Sequence, residues 1–338
     1  MESPRARQRG QWLADTLDTP DFRLGRASED ASFRSYWRVD VGGETRILMD
    51  APPDKEDITS WLDIGARLDA AGLHAPRVFA SDAGAGFVLM EDLGTRTYLG
   101  ELVDARVDVL YADALDALLR MQTAVDVRGM PAYDEARLRA EMDLLPAWFL
   151  VRHLGFTPDA DDAAVIADAF AFLVQSALEQ PAAFVHRDYH SRNLLVTDAA
   201  SPGIIDFQDA HIGPITYDLV SLLRDCYIAW EPERVASWVD AHRQRLLAAH
   251  LIGADTGAAR FQRWFDLMGL QRHLKVLGIF CRLWYRDGKA QYLGDLPLVW
   301  HYVADVASRY PELAAFAALL ERARDARDLT RPHPPVPA

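Results

Sequence analysis

Between residues 22 and 91, apolar runs of strand length alternate with turn residues; beyond that point apolar positions recur at three- and four-residue intervals. The runs at 33–40 and 45–50 predict two strands joined at Gly42-Gly43, a favoured two-residue hairpin turn. An upstream run at 22–28 is placed to pair with them, leaving a short turn at 29–32. Pro52-Pro53 ends the strand pattern, and Ile58, Trp61, Leu62 and Leu68 then predict a helix from near Asp54 to Gly72. Two further strands, at 77–80 and 86–91, flank a Gly-rich turn.

After Glu91-Asp92-Leu93-Gly94 the spacing predicts helices over 104–122 and 160–179, with 126–134 as loop between them. Short apolar segments at 183–186, 193–197 and 203–207 carry polar residues at their ends, and helical spacing continues to about 325. The Pro-rich end from Arg331 has no periodicity to pack, so 329–338 is expected to be a disordered tail. The prediction is therefore an α+β chain of two lobes. An antiparallel-sheet lobe with one helix fills 1–93, a hinge lies near 90–94, and a mostly helical lobe fills 94–328.

Composition narrows the function classes. Half of the residues are apolar and a quarter charged, as in globular proteins, and no apolar run is long enough for a bilayer. A formal net charge of −14 argues against nucleic acid as a partner, because phosphate backbones demand concentrated Lys and Arg. Two cysteines, Cys226 and Cys281, make no disulfide framework, so a reducing cytoplasm is expected, with no membrane partner. A monomer acting on a small molecule is the expected state.

The chemistry is concentrated in His186-Arg187-Asp188-Tyr189-His190-Ser191-Arg192-Asn193, which matches the H-R-D-x-x-x-x-N pattern position for position. Phosphoryl transfer needs a carboxylate at the attacking hydroxyl and oxygen ligands for the metal that neutralises phosphate charge. Asp188 is the expected base, and Asn193 the first ligand for Mg²⁺. Asp206, at the end of the apolar run Ile204-Ile205, is the expected second ligand. A hairpin over 194–205 would bring Asn193 and Asp206 together.

These motifs resemble the aminoglycoside phosphotransferase/choline kinase superfamily, whose members have a protein-kinase-like fold. The segments H-R-D-Y-H-S-R-N-L-L and I-D-F-Q-D-A-H-I-G-P-I-T-Y-D-L-V-S-L-L-R-D-C-Y resemble, more closely, the anomeric N-acetylmuramate/N-acetylglucosamine kinases of bacterial cell-wall recycling. The S-E-D-A-S-F-R-S-Y-W-R-V and M-D-A-P-P segments fit that family too, and the likeness covers about 20–325. It implies transfer from ATP to the C1 hydroxyl of an amino sugar.

The upper lobe departs from the general kinase pattern. Met49 stands about where a phosphate-pairing Lys or Arg belongs, which leaves Glu56 without the usual ion-pair partner. Arg34 is the candidate replacement, and Ser32 and Phe33 complete the expected phosphate loop. Met90, Glu91 and Leu93 are the expected adenine-binding segment. For the acceptor, the candidates are Arg187, His190, Arg224, Asp225, Gln271 and Arg272, with Asp218 as a cap or anchor. The 270–286 helix carries Leu270, Leu274, Leu277, Cys281 and Trp284 on one stripe. Arg272, Lys275, Arg282 and Arg286 lie opposite, as a solvated basic face or an anion-attracting wall. Two other readings stay open: a kinase of the same fold acting on an aminoglycoside, choline or homoserine, and a pseudokinase, for which Met49 is the sole support.

Overall fold

The computed structural model describes residues 3–29 and 33–333. The chain opens with α1 (Pro4–Leu17), β1 (Arg23–Glu29), β2 (Ser35–Val41), β3 (Glu44–Asp50), α2 (Thr59–Ala70), β4 (Val78–Asp82) and β5 (Phe87–Glu91). It continues through α3 (Tyr98–Glu101), α4 (Val107–Ala124), α5 (Glu135–Met142), a π-helical stretch (Leu145–His153) and α6 (Ala160–Leu178). Four short strands follow: β6 (Ala182–Val185), β7 (Leu194–Leu195), β8 (Gly203–Ile204) and β9 (His211–Pro214). The remainder is α7 (Tyr217–Leu223), α8 (Pro232–Ala248), α9 (Ala258–Tyr285), α10 (Leu296–Arg309) and α11 (Ala314–Arg324).

Two compact units result: 1–117 with 192–209, and 118–191 with 210–338. The first unit thus runs beyond the sheet's end near 93 and takes in a segment from the middle of the chain. The backbone explains that segment's allegiance. Val196 N–H donates to Arg96 C=O (2.8 Å) and Ile204 N–H to His74 C=O (2.8 Å), so the β7–β8 hairpin is tied to this unit.

In the first unit the sheet has the order β1-β2-β3-β5-β4, antiparallel throughout. Gly42 and Gly43, both at positive φ, make the two-residue turn between β2 and β3, a conformation that favours glycine. One sheet face carries Val39, Leu48, Phe87 and Leu89 and is covered by Leu13 of α1. Helix α1 falls in a stretch where the sequence pattern predicts no element, although its signals are present. Ser3 caps Ala6 N–H, Pro4 occupies the first turn, and Trp12, Leu13 and Leu17 share a stripe. Its Arg5 and Arg9 both pair with the buried Asp50, and Arg9 also stacks 3.7 Å over the Trp37 ring. Helix α2 starts at Thr59, five residues after the predicted Asp54, and packs Trp61 on Phe207.

The second unit is built around α9, 28 residues long and buried over most of its length. Gly278 is required there, since a Cβ would meet Leu144 backbone at 2.6 Å. β6, near the predicted 183–186 segment, pairs with β9, which the pattern missed because Gly213-Pro214 breaks its alternation. The tail differs from expectation as far as His333. Leu329 is buried, its C=O is hydrogen-bonded to His153 Nε2, and His333 N–H donates to Tyr285 Oη, so the tail is held at Leu329 and His333. Residues 334–338 lie outside the described residues. No described helix is long and apolar enough to cross a membrane, and both cysteines are free and buried.

Candidate active site

The H-R-D loop begins where β6 ends. Its entry is fixed by Asp218 on α7, whose carboxylate accepts the N–H groups of His186 (2.6 Å) and Arg187 (3.0 Å). Asp218 therefore anchors the loop. Burial pushes its carboxyl up to about 7, against the pull of these two hydrogen bonds. The loop's exit is fixed the same way. Asp225 accepts the N–H (2.9 Å) and the hydroxyl of Ser191, and Tyr227 N–H as well.

Six described non-glycine residues have left-handed backbone. Asp18, His250, Asp325 and Ala326 lie at or just past helix ends, where that conformation closes the last turn. Arg187 (φ 77°) and Asp206 (φ 64°) do not. Such residues cost about 1–3 kcal/mol each and persist only where surrounding contacts hold them. Both fall in the predicted catalytic motifs.

Asp188 is partly exposed, and its immediate field is cationic. Burial raises its carboxyl, but Lys275, His190, Arg272 and Arg187 outweigh that and hold it below the ordinary carboxylate range. Lys275 lies 3.3 Å from Glu141 Oε1 and 3.2 Å from Tyr217 Oη, and Glu141 also pairs with Arg187. Turnover that needs an ionised Asp188 is present above its pKa and lost as pH falls through it. Lys275→Met removes the leading cation, so the acid limb of the kcat/KM profile should move up by about one pH unit. Arg187 still neutralises Glu141 in that variant, which keeps the fold. An unmoved limb in the pH–rate profile would contradict this electrostatic role.

The first unit holds the other half of the motif. Asn193 Nδ2 donates to Asp206 Oδ2 (3.3 Å), Gln208 Nε2 donates to Asp206 Oδ1 (2.9 Å), and Arg34 Nη2 lies 3.8 Å from Asp206 Oδ1. The β7–β8 hairpin produces this meeting, with Ile205 N–H on Asn193 C=O at 3.2 Å. Carboxylate and amide oxygens are hard donors suited to Mg²⁺. No group of three or more His, Cys, Asp or Glu forms a metal cluster among the described residues. The donor set fits an ion that is completed by substrate phosphates and water rather than by a protein cage.

The remaining candidates sort by what they touch. Met49 is fully buried in the sheet, and Glu56 accepts Phe33 N–H (3.1 Å), so it braces the loop before β2 instead of an ion pair. Phe33 is exposed, and Ser32 lies outside the described residues. Met90 and Leu93 are buried, while Glu91 is bound to His74 and to Arg77 N–H. Arg224 is engaged in a buried pair with Asp266 (2.7 Å). Arg187 and Asp225 are bonded to Glu141 and Ser191. His190 packs its ring edge-on to Tyr227 (5.5 Å). Arg272, Gln271 and Lys275 are buried, so this stretch of α9 is not a solvated basic face. Glu141 was missed by sequence reasoning, since its partners lie far along the chain.

The model of the phosphotransferase enzyme family matches residues 23–261. An N-acetylmuramate/N-acetylglucosamine kinase of Pseudomonas aeruginosa is 45% identical over 304 residues, covering 90% of this chain and 89% of the relative. One of Pseudomonas putida is 41% identical over 327 residues, covering 94% and 96%. Among solved structures, the ADP-bound aminoglycoside phosphotransferase APH(2'')-Ib superposes with a TM-score of 0.58 at 13% identity, covering 88% of this chain and 97% of that one. That likeness speaks for the protein-kinase-like fold. The chain belongs to the phosphotransferase enzyme family, on the branch that carries the N-acetylmuramate/N-acetylglucosamine kinases.

Proposed function

We propose that this chain transfers the γ-phosphoryl group of ATP to the C1 hydroxyl of N-acetylmuramate and N-acetylglucosamine. The observation that carries the reading is the H-R-D-x-x-x-x-N loop, held at both ends by Asp218 and Asp225, in a chain whose relatives bear that kinase name. Asp188, kept ionised by the cations around it, accepts the proton of the attacking hydroxyl as the O–P bond forms and the bond to ADP breaks. Asn193 and Asp206 are the side chains that would hold Mg²⁺, which when bound offsets the phosphate charge. His190, Gln271 and Arg272 are the acceptor-side candidates, and Met90 and Leu93 the apolar walls for adenine. A cytoplasmic monomer is the setting proposed for it.

Arg34 takes the part that Met49 cannot, because its guanidinium reaches the Asp206 carboxylate from the loop before β2. Arg34→Met is accordingly expected to raise KM for ATP by about 10-fold or more, while KM for the sugar changes little. Steady-state titration of each substrate checks this split.

The acceptor is tested by mass spectrometry on a panel of N-acetylmuramate, N-acetylglucosamine, choline, homoserine and an aminoglycoside with ATP and Mg²⁺. Phosphorylation of the two amino sugars is expected. Selective turnover of a cationic acceptor would remove the assignment, and no transfer to anything would favour the pseudokinase reading.

A further inference from the structure

Three arginines of the second unit are buried. Arg224 has Asp266 at 2.7 Å and Arg243 has Asp240 at 2.7 Å. Arg272 differs. Its hydrogen bond within the described residues is from Nη1 to the Cys226 sulfur (3.4 Å), a weak acceptor, and no carboxylate oxygen lies within 4.0 Å. The Asp188 carboxylate acts on it through space without an ion pair, so most of its N–H groups meet no oxygen acceptor among the described residues, which is costly for a buried guanidinium.

The other neighbours do not take up those N–H groups either. Burial pushes the Cys226 thiol up to about 11, so the thiol is neutral at physiological pH. The Asp225 carboxylate is occupied by Ser191 and Tyr227 N–H, and His273, pushed by burial down to about 3, is an uncharged ring whose Nε2 bonds to Arg224 C=O. Next to Arg272 on α9, Gln271 has a buried Oε1 with no hydrogen-bond partner among the described residues. One turn further, Lys275 is already shared by Glu141 and Tyr217. Arg187, Lys275 and Arg272 thus share the field of Glu141, Asp188 and Asp218, and of these three cations Arg272 is the one with no carboxylate at ion-pair distance among the described residues. Arg272 is the cation beside the proposed base that has donors left for a carboxylate brought by a substrate.

We infer that Arg272 is the carboxylate-recognition residue of the acceptor site, which makes the chain favour N-acetylmuramate, with its lactyl carboxylate on O3, over N-acetylglucosamine. This rests on the proposed amino-sugar acceptor. The lactyl group and the reacting hydroxyl are borne on C3 and C1 of one ring. A cation near Asp188 is therefore in range of a sugar whose C1 hydroxyl meets that base. The guanidinium fork suits a carboxylate bidentately.

The test compares N-acetylmuramate with its methyl ester, which keeps the shape and loses the charge. The unaltered chain is expected to show a kcat/KM about 10- to 100-fold higher for the acid than for the ester. In Arg272→Met that ratio should fall to near one, and in Arg272→Lys it should be intermediate. A thermal melt confirms that each variant is folded. Equal kcat/KM for acid and ester in the unaltered chain would overturn the inference without any variant, as would a ratio that survives in Arg272→Met. If the unaltered chain phosphorylates N-acetylglucosamine and the ester but gains nothing from the carboxylate, the sugar-kinase reading stands and only the role of Arg272 falls. If it phosphorylates none of these sugars, the acceptor assignment falls and takes this inference with it.

Discussion

Asp188→Asn is expected to lower kcat by about 10³-fold or more while ATP affinity stays within a few-fold of its original value. The amide is nearly isosteric with the carboxylate but cannot take the proton of the attacking hydroxyl. The surrounding field makes this a clean experiment. Lys275, His190, Arg272 and Arg187 keep the native carboxyl ionised, so the loss of the proposed base is not masked by partial protonation at neutral pH. Its loop also stays in place, because Asp218 and Asp225 grip the backbone on either side of position 188. Turnover kinetics with a fluorescent nucleotide titration separate chemistry from binding. Retention of more than about a tenth of the activity would contradict the role of Asp188 as base.

Asp206→Asn should have the next largest effect, a fall in kcat of about 10²- to 10³-fold with a higher Mg²⁺ concentration for half-maximal turnover. Three side chains, Asn193, Gln208 and Arg34, converge on this carboxylate. Removing its charge leaves Arg34 less compensated and leaves Asn193 as the remaining candidate ligand. The left-handed backbone at Asp206 is tolerated about as well by Asn, so the substitution tests the charge rather than the conformation. A metal titration of turnover unchanged from the native curve would rule out Asp206 as a ligand.

How much of this was legible in the sequence depends on the range of the interaction. The Gly42-Gly43 turn, the strands around it and the hairpin that joins Asn193 to Asp206 are local, and local patterns reported them. Asp218 and the H-R-D loop were legible through a motif whose geometry is stereotyped. Helix α1 was not. Its stripe is short, and the Arg5 and Arg9 that fasten it have their partner Asp50 more than forty residues away.

The same distance hid the electrostatics of α9. Read alone, Arg272 and Lys275 lie opposite an apolar stripe and look solvated. In the fold that helix is enclosed on nearly all sides, and Glu141 of α5 reaches Lys275 across a sequence separation that no periodicity reveals. The ion-pair partner of Arg224 was hidden for the corresponding reason, since Asp266 lies 42 residues further along the chain. Buried charges acquire their meaning from partners, and partners are a property of the tertiary structure.

The central claim, γ-phosphoryl transfer from ATP to the anomeric oxygen of an amino sugar, is tested most directly by phosphorus and proton NMR of the product formed from N-acetylmuramate, ATP and Mg²⁺. A phosphorus resonance coupled to the anomeric proton, absent when Asp188→Asn replaces the native chain, is the predicted result. A phosphate on any other carbon, or ADP release with no sugar phosphate, would contradict it.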